Sequence, residues 1–200
     1  MKIISWNLLR LIGARVDDVA ALIEEHRPDL MLMQEATVDT DRLVERAGGF
    51  YTRHPLPGRI HGLAVWSPVV LPQPATIPLQ RGTLIPRIAQ IIEVGDIAIA
   101  NVHLSHGQLL NRRQLRRTVS ALAATGANKA AVLGDYNLVG PALLPGFTDA
   151  GPRQPTHRMS ELVPLRIDRC YIRGLACERA EVLGRGRSDH KPIMVELQAA

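Results

Sequence analysis

Asn7, Glu35, His103, Asp135, Asn137, Asp168 and the pair Asp189-His190 each close or adjoin an apolar run of strand length. Asn7 follows KIISW, Glu35 follows LMLMQ, and His103 lies in IANVHLSH. Asp135 and Asn137 end AVLGDYN, Asp168 sits in LRID, and Asp189-His190 precede PIMVEL. One such residue is a solvated strand end. Repeated at comparable positions, they predict a single polar cleft on a rigid scaffold. Glu35, Asp135, Asp168 and Asp189 brought together would repel one another unless a cation or a protonated imidazole joined them. Carboxylate and amide oxygens suit a hard divalent cation such as Mg²⁺. Such a cation offsets the negative charge that protects a phosphoester from attack by water. Taken singly, each residue has a plainer role. Asn7 could cap a turn, Glu35 could lead a helix at Ala36-Thr37, and Asp168 could pair with Arg166 or Arg169.

The elements that must position these residues are legible as periodicity. Val16 to His26 has helical spacing, with Val19, Leu22 and Ile23 on one face and two aspartates in the first turn, and Pro28 ends it. A second helix is expected over Asp39 to Ala47, stopped by Gly48-Gly49, and the longest over Gln108 to Thr125. Residues 2–9, 29–35, 61–67, 88–94, 97–104, 129–137, 165–172 and 192–197 read as strands, with Gly95-Asp96 as a hairpin turn. The proline-rich stretch after Ser67 reads as loop or edge strand. About eight strands and three helices in mixed order fit two sheets packed face to face better than one doubly wound sheet. No repeat, linker or low-complexity tract divides the chain, so residues 1–200 read as a single domain.

SWN, MQE, NVHLS, GDYN, ID and SDHKP, in this order from residue 3 to 197, strongly resemble the endonuclease/exonuclease/phosphatase superfamily. Deoxyribonucleases, abasic-site endonucleases, sphingomyelinases and inositol polyphosphate 5-phosphatases belong to it. The resemblance implies an α/β fold, a four-layer α/β/β/α sandwich of two mixed β-sheets flanked by helices. It also implies divalent-metal hydrolysis of phosphoesters, with Mg²⁺ as cofactor and Mn²⁺ as a substitute. Glu35 and Asn7 match the family's metal-binding positions, and Asp189 joins them. Asp135 matches the residue that orients or deprotonates the attacking water, and Asn137 the one that holds the water or the phosphate. His190 is expected against a phosphate oxygen, with Asp168 accepting its other N–H, and His103 matches a second phosphate-binding histidine. Either Asp135 or the His190–Asp168 pair is the general base, and one metal or two fit equally.

Composition narrows the partners. The net charge of +5 favours a polyanion. Arg87, Arg185 and Arg187 are candidate phosphate contacts. The helix segment NRRQLRR carries like-charge pairs at helical spacing, either a solvated face or an anion contact. With seven aromatics in all, platforms for stacking single-stranded bases are not expected. Two cysteines, Cys170 and Cys177, make no disulfide framework and read as structural. No apolar stretch approaches a membrane span, and MKIISWNLLR has no leader pattern. A monomeric cytoplasmic enzyme acting on nucleic acid, DNA in preference, is therefore expected. The alternative is a sphingomyelinase-like lipid or small-molecule phosphodiesterase, for which an exposed apolar loop over Val69–Leu79 would serve membrane contact. The short chain leaves little room for the DNA-penetrating loops of abasic-site enzymes, and His103 stands where those carry an aromatic.

Overall fold

The computed structural model describes residues 1–10, 12–81, 86–159, 163–184 and 186–200. In chain order the elements are β1 (Lys2–Asn7), α1 (Val16–His26), β2 (Leu30–Ala36), a 3₁₀ turn (Val38–Arg42) running into α2 (Leu43–Ala47), β3 (Phe50–Pro55) and β4 (Gly62–Ser67). Next come β5 (Ala75–Leu79), β6 (Arg87–Val94), β7 (Ile97–His103), α3 (Gln108–Ala124) and β8 (Lys129–Asp135). The chain finishes with β9 (Thr148–Asp149), β10 (His157–Met159), β11 (Val163–Leu165), β12 (Asp168–Arg173), β13 (Leu175–Val182) and β14 (Ile193–Ala199).

Two six-stranded mixed sheets stack face to face, ordered β13-β14-β1-β2-β4-β3 and β5-β6-β7-β8-β12-β9, and β10-β11 form a small ribbon. Each large sheet has one parallel pair at its centre, β1/β2 and β7/β8. Parallel neighbours need a crossover, and α1 and α3 supply it. The carboxyl ends of all four central strands therefore emerge at one end of the sandwich.

Strand alternation sorts the side chains into layers. On β1, Ile4 and Trp6 pack under α1, while Ile3 faces the other sheet. On β8, Ala130 and Val132 face α3, while Ala131 and Leu133 face between the sheets. Both faces are buried, which is why these strands read as largely apolar runs. The result is helix, sheet, sheet, helix. Val16, Val19 and Ile23 give α1 its buried stripe. Along the inter-sheet layer the residues change from apolar to polar toward the carboxyl ends. A buried amide network marks the transition: Gln34 Nε2 donates to Ser5 Oγ (3.1 Å) and Asn101 Oδ1 (2.8 Å), and Asn101 Nδ2 donates to Gln90 Oε1 (3.1 Å).

Fourteen strands, not eight, are present among the described residues. β3 and β13 carry half-exposed polar residues, so neither shows a long apolar run. The expected strand over 165–172 is divided at Arg166-Ile167 into β11 and β12, and the helix expected over Asp39–Ala47 begins as a 3₁₀ turn. β5, with Pro78, is an edge strand, as its prolines require.

Gly134 precedes Asp135 with φ of 140°, and a Cβ there would collide with the carbonyl oxygen of Val102 on β7. Only glycine lets β8 approach β7 this closely beside the polar end. Gly134→Ala is expected to lose about 2 kcal/mol and roughly 4–8 °C in melting temperature. A thermal melt indistinguishable from that of the parent protein would show that the strand tolerates a side chain there.

Candidate active site

Asn7, the last residue of β1, does two jobs. Its Oδ1 accepts the Leu9 N–H at 3.1 Å, turning the chain, and its Nδ2 donates to Asp135 Oδ2 at 3.0 Å across the sandwich. The turn-capping role is thus real and coexists with a place at the site. Glu35 sits at a register shift between β2 and β4, in the left-handed region with φ of 56°. The bulge re-aims its side chain toward the cleft. Leu9 and Asn137 share this unusual conformation, with φ of 51° and 48°. Strained backbone of this kind gathers where side chains must converge.

Asp135 is 1% exposed and is the most heavily engaged group. Besides Asn7, the Asn137 backbone N–H donates to its Oδ1 at 2.8 Å and Asn137 Nδ2 to its Oδ2 at 3.1 Å. His103 Nε2 lies 3.4 Å and His190 Nε2 3.9 Å from the same Oδ2. Burial pushes the Asp135 pKa up to about 6, against the pull of the nearby His190 charge.

His190 Nδ1 lies 2.8 and 3.1 Å from the two Asp168 oxygens, leaving Nε2 toward the cavity. Burial alone would lower its pKa. The charges of Asp168 and then Asp135, with the Asp168 hydrogen bond, reverse this and raise it to about 10. Asp168 is held in turn by Thr156, whose Oγ1 accepts the N–H groups of Ile167 and Asp168 at 3.2 and 3.0 Å. The serine of the SDH triplet also has a purpose. Ser188 Oγ donates to the Asn7 carbonyl at 2.7 Å and accepts the His190 N–H at 3.1 Å, joining this segment to β1. Trp6 Nε1 donates to the His190 carbonyl at 3.0 Å. His103 is driven well below its ordinary pKa by burial and then by Arg87, which favours its neutral form.

Asn7, Glu35, Arg87, His103, Asp135, Asn137, Asp189 and His190 line one cavity of about 490 Å³. Asp168 stands behind His190. Arg187 does not join them: it is exposed, with its Nε 4.0 Å from Asp18 on α1. Arg185 lies outside the described residues. The four arginines of NRRQLRR are exposed on α3. Four further polar lining residues were not singled out from the sequence as candidates. His157 Nε2 lies 3.3 Å from Asp189 Oδ2, while Arg10, His61 and His106 stand in loops without pattern. A groove of about 590 Å³ adjoins the cavity across His157 and Asp189.

The oxygen donors fit a divalent cation. Asp189 Oδ1 is buried without a hydrogen-bond partner among the described residues, and burial of its carboxyl is outweighed by His157 and His190, which hold its pKa below the ordinary value. Two tight ligand groupings occur among the described residues, His157/Asp189/His190 and Asp135/Asp168/His190. Glu35, expected as a metal ligand, belongs to neither grouping, although it lines the same cavity.

The model of the endonuclease/exonuclease/phosphatase family matches residues 4–190. No curated protein matches the sequence significantly. Among solved structures, an endonuclease/exonuclease/phosphatase from Bacteroides vulgatus is similar with a TM-score of 0.85 at 16% identity, covering 100% of this chain and 98% of the other. A mannosyl-6-phosphatase from Bacteroides thetaiotaomicron gives 0.79 at 17% identity, covering 99% of each chain. D. rerio TDP2 complexed with a single-strand DNA product gives 0.79 at 14% identity, covering 100% and 99%. At these identities the likeness is one of fold.

In metal-free protein, His190 should titrate near 10, and Asp168→Asn should bring it down by several pH units, followed by the imidazole signals in NMR. Because the folded pKa lies above the ordinary 6.5, the stability this cation contributes is complete below that value and lost as pH rises through about 10. Asp168→Asn should flatten that alkaline loss. A parent His190 titrating near 6.5 would contradict the pairing.

Proposed function

The chain belongs to the endonuclease/exonuclease/phosphatase family, a family of phosphoester hydrolases, and from that membership we propose that it is a Mg²⁺-dependent nuclease cleaving phosphodiester bonds by in-line attack of water. The convergence of Asn7, Glu35, Asp135, Asn137, Asp189 and His190 on one cavity carries this reading. Glu35, Asn7 and Asp189 would hold the cation. When bound, it would neutralise phosphate charge and stabilise the charge that develops at the reacting oxygens.

The chain's own groups supply the rest. Above about pH 6 Asp135 is ionised and can take a proton from a water beside Oδ2, with Asn137 and Asn7 fixing the carboxylate's orientation. His190 is a cation from there up to about pH 10, anchored through Nδ1, and its Nε2–H can donate to a non-bridging oxygen or to the leaving oxygen. His103 donates without adding charge. Asp168 is a positioning residue that fixes the His190 tautomer.

Nucleic acid is favoured as substrate by the net charge of +5, by Arg87 in the cavity wall, and by the shared fold with a protein crystallised with single-strand DNA. The lipid reading loses one support and gains another. Val69 and Val70 are exposed, but they follow Ser67, which pairs with Phe50 at the end of the sheet remote from the cavity. Exposed Ile12, Ile60, Leu109 and Val139 instead lie at the cavity end, where they could meet an apolar surface. No described helix is long and apolar enough to cross a membrane.

Purified protein should nick supercoiled plasmid with Mg²⁺ and lose the activity in EDTA. Asp135→Asn and His190→Ala should each reduce turnover by roughly 10²–10⁴-fold, with a melting curve to check that each variant folds, since His190→Ala also removes the cation that compensates buried Asp168. Cleavage of sphingomyelin or a sugar phosphate, with plasmid, linear duplex, RNA and single strands all intact, would remove the nuclease assignment.

A further inference from the structure

Charge inside the cavity is sorted by strand. Asp168 on β12 and Asp189-His190 before β14 occupy one flank, and Asn7, Glu35, His103 and Asp135 the middle. His61, just before β4, and Arg87, opening β6, occupy the other flank, where β4 and β6 face each other across the sandwich. From β14 to β4 is three strand spacings, about 14 Å. From β8, which carries Asp135, to β6 is two spacings, about 10 Å.

This second flank is cationic, and its arginines have no ion-pair partner among the described residues. Arg10, from the loop after β1, reaches it with Nη1 3.4 Å from His61 Nε2. Burial, followed by Arg10, Arg87 and Arg59, depresses the His61 pKa to about 4, so neutral His61 accepts from Arg10 and orients its guanidinium. Arg87 is 8% exposed, and its buried Nε has no hydrogen-bond partner among the described residues. Neither arginine makes an ion pair among those residues, although Asp135 and Glu35 act on Arg87 at longer range. A buried guanidinium nitrogen left unpaired is unfavourable, and the planar fork of donors matches phosphate.

We propose that Arg10, His61 and Arg87 form a second phosphate subsite, so that the preferred substrate carries another phosphate beside the scissile phosphoester. This rests on the functional reading above only for the position of the scissile group near Asp135 and His190. The second phosphate is either the next one along a nucleic-acid strand or a substituent of a small polyphosphorylated molecule, since both present the same anion to the arginines.

The subsite is tested by binding, without turnover. Isothermal titration in EDTA compares thymidine 3′,5′-bisphosphate with thymidine 5′-monophosphate. Wild type should prefer the bisphosphate by roughly tenfold or more, and Arg10→Ala, at an exposed position, should abolish the preference. Arg87→Met should do the same, and a melting curve checks that this buried substitution folds. If it does not, Arg10→Ala decides. A 5′-phosphorylated dinucleotide and a sugar bisphosphate, each against its monophosphate parent, separate the two sources. Equal affinity for the thymidine mono- and bisphosphate in wild type, or a preference intact in Arg10→Ala, would overturn the subsite. Failure to hydrolyse any phosphoester with Mg²⁺, alongside an intact bisphosphate preference, would instead sink the catalytic reading and leave the subsite standing.

Discussion

A carboxylate removed from water must be compensated or lose its charge, and Asp135 is 1% exposed. Most of the cavity follows from satisfying it. Asn7 reaches it from the opposite sheet, Asn137 folds back onto it through backbone and side chain, and two imidazoles stand within 4 Å. This arrangement needs both sheets in fixed register, because its partners come from both of them. The amide network of Gln34, Asn101 and Gln90 lies in the same inter-sheet layer. It gives the two sheets directional contacts that apolar packing alone does not supply.

Local conformation serves the same end. Three of the four described non-glycine residues with positive φ, Leu9, Glu35 and Asn137, line the cavity. Each occurs where a strand must deliver a side chain sideways and not along its ordinary alternation. Each unfavourable conformation costs about 1–3 kcal/mol, and persists because the neighbouring strands are locked on both faces by apolar packing. Scaffold stability and site geometry are therefore coupled at these positions.

The cavity is electrostatically two-ended. The Asp168–His190 couple makes a fixed cation within an acidic flank, whereas Arg10 and Arg87 make a basic flank with few counter-charges. His103 and His61 are both held neutral by burial, which keeps the positive charge confined to His190 and the arginines. A polyphosphorylated anion complements this division better than an isolated ester does.

The amino-acid sequence alone determined the layered architecture and the residues that line the middle of the cavity. Buried parallel strands are apolar on both faces, so β1, β2, β7 and β8 stand out as largely apolar runs, and a polar residue closing such a run is conspicuous. That is why Asn7, Glu35, His103, Asp135 and Asp189-His190 were legible, and why the family resemblance extended to the Asp168–His190 pairing. Edge strands β3 and β13 were not legible, because half-exposed strands tolerate polar residues and show little periodicity. Only the tertiary structure decided which loop residues meet. Arg10 and His61 are 51 positions apart, and His157 and Asp189 are 32 apart, with no pattern linking either pair. Arg187, adjacent to the triplet in sequence, turns toward α1. Closeness along the chain fixes neither distance nor direction once a loop leaves its strand. Those are set by the order in which strands lie side by side, a long-range property that no short segment encodes.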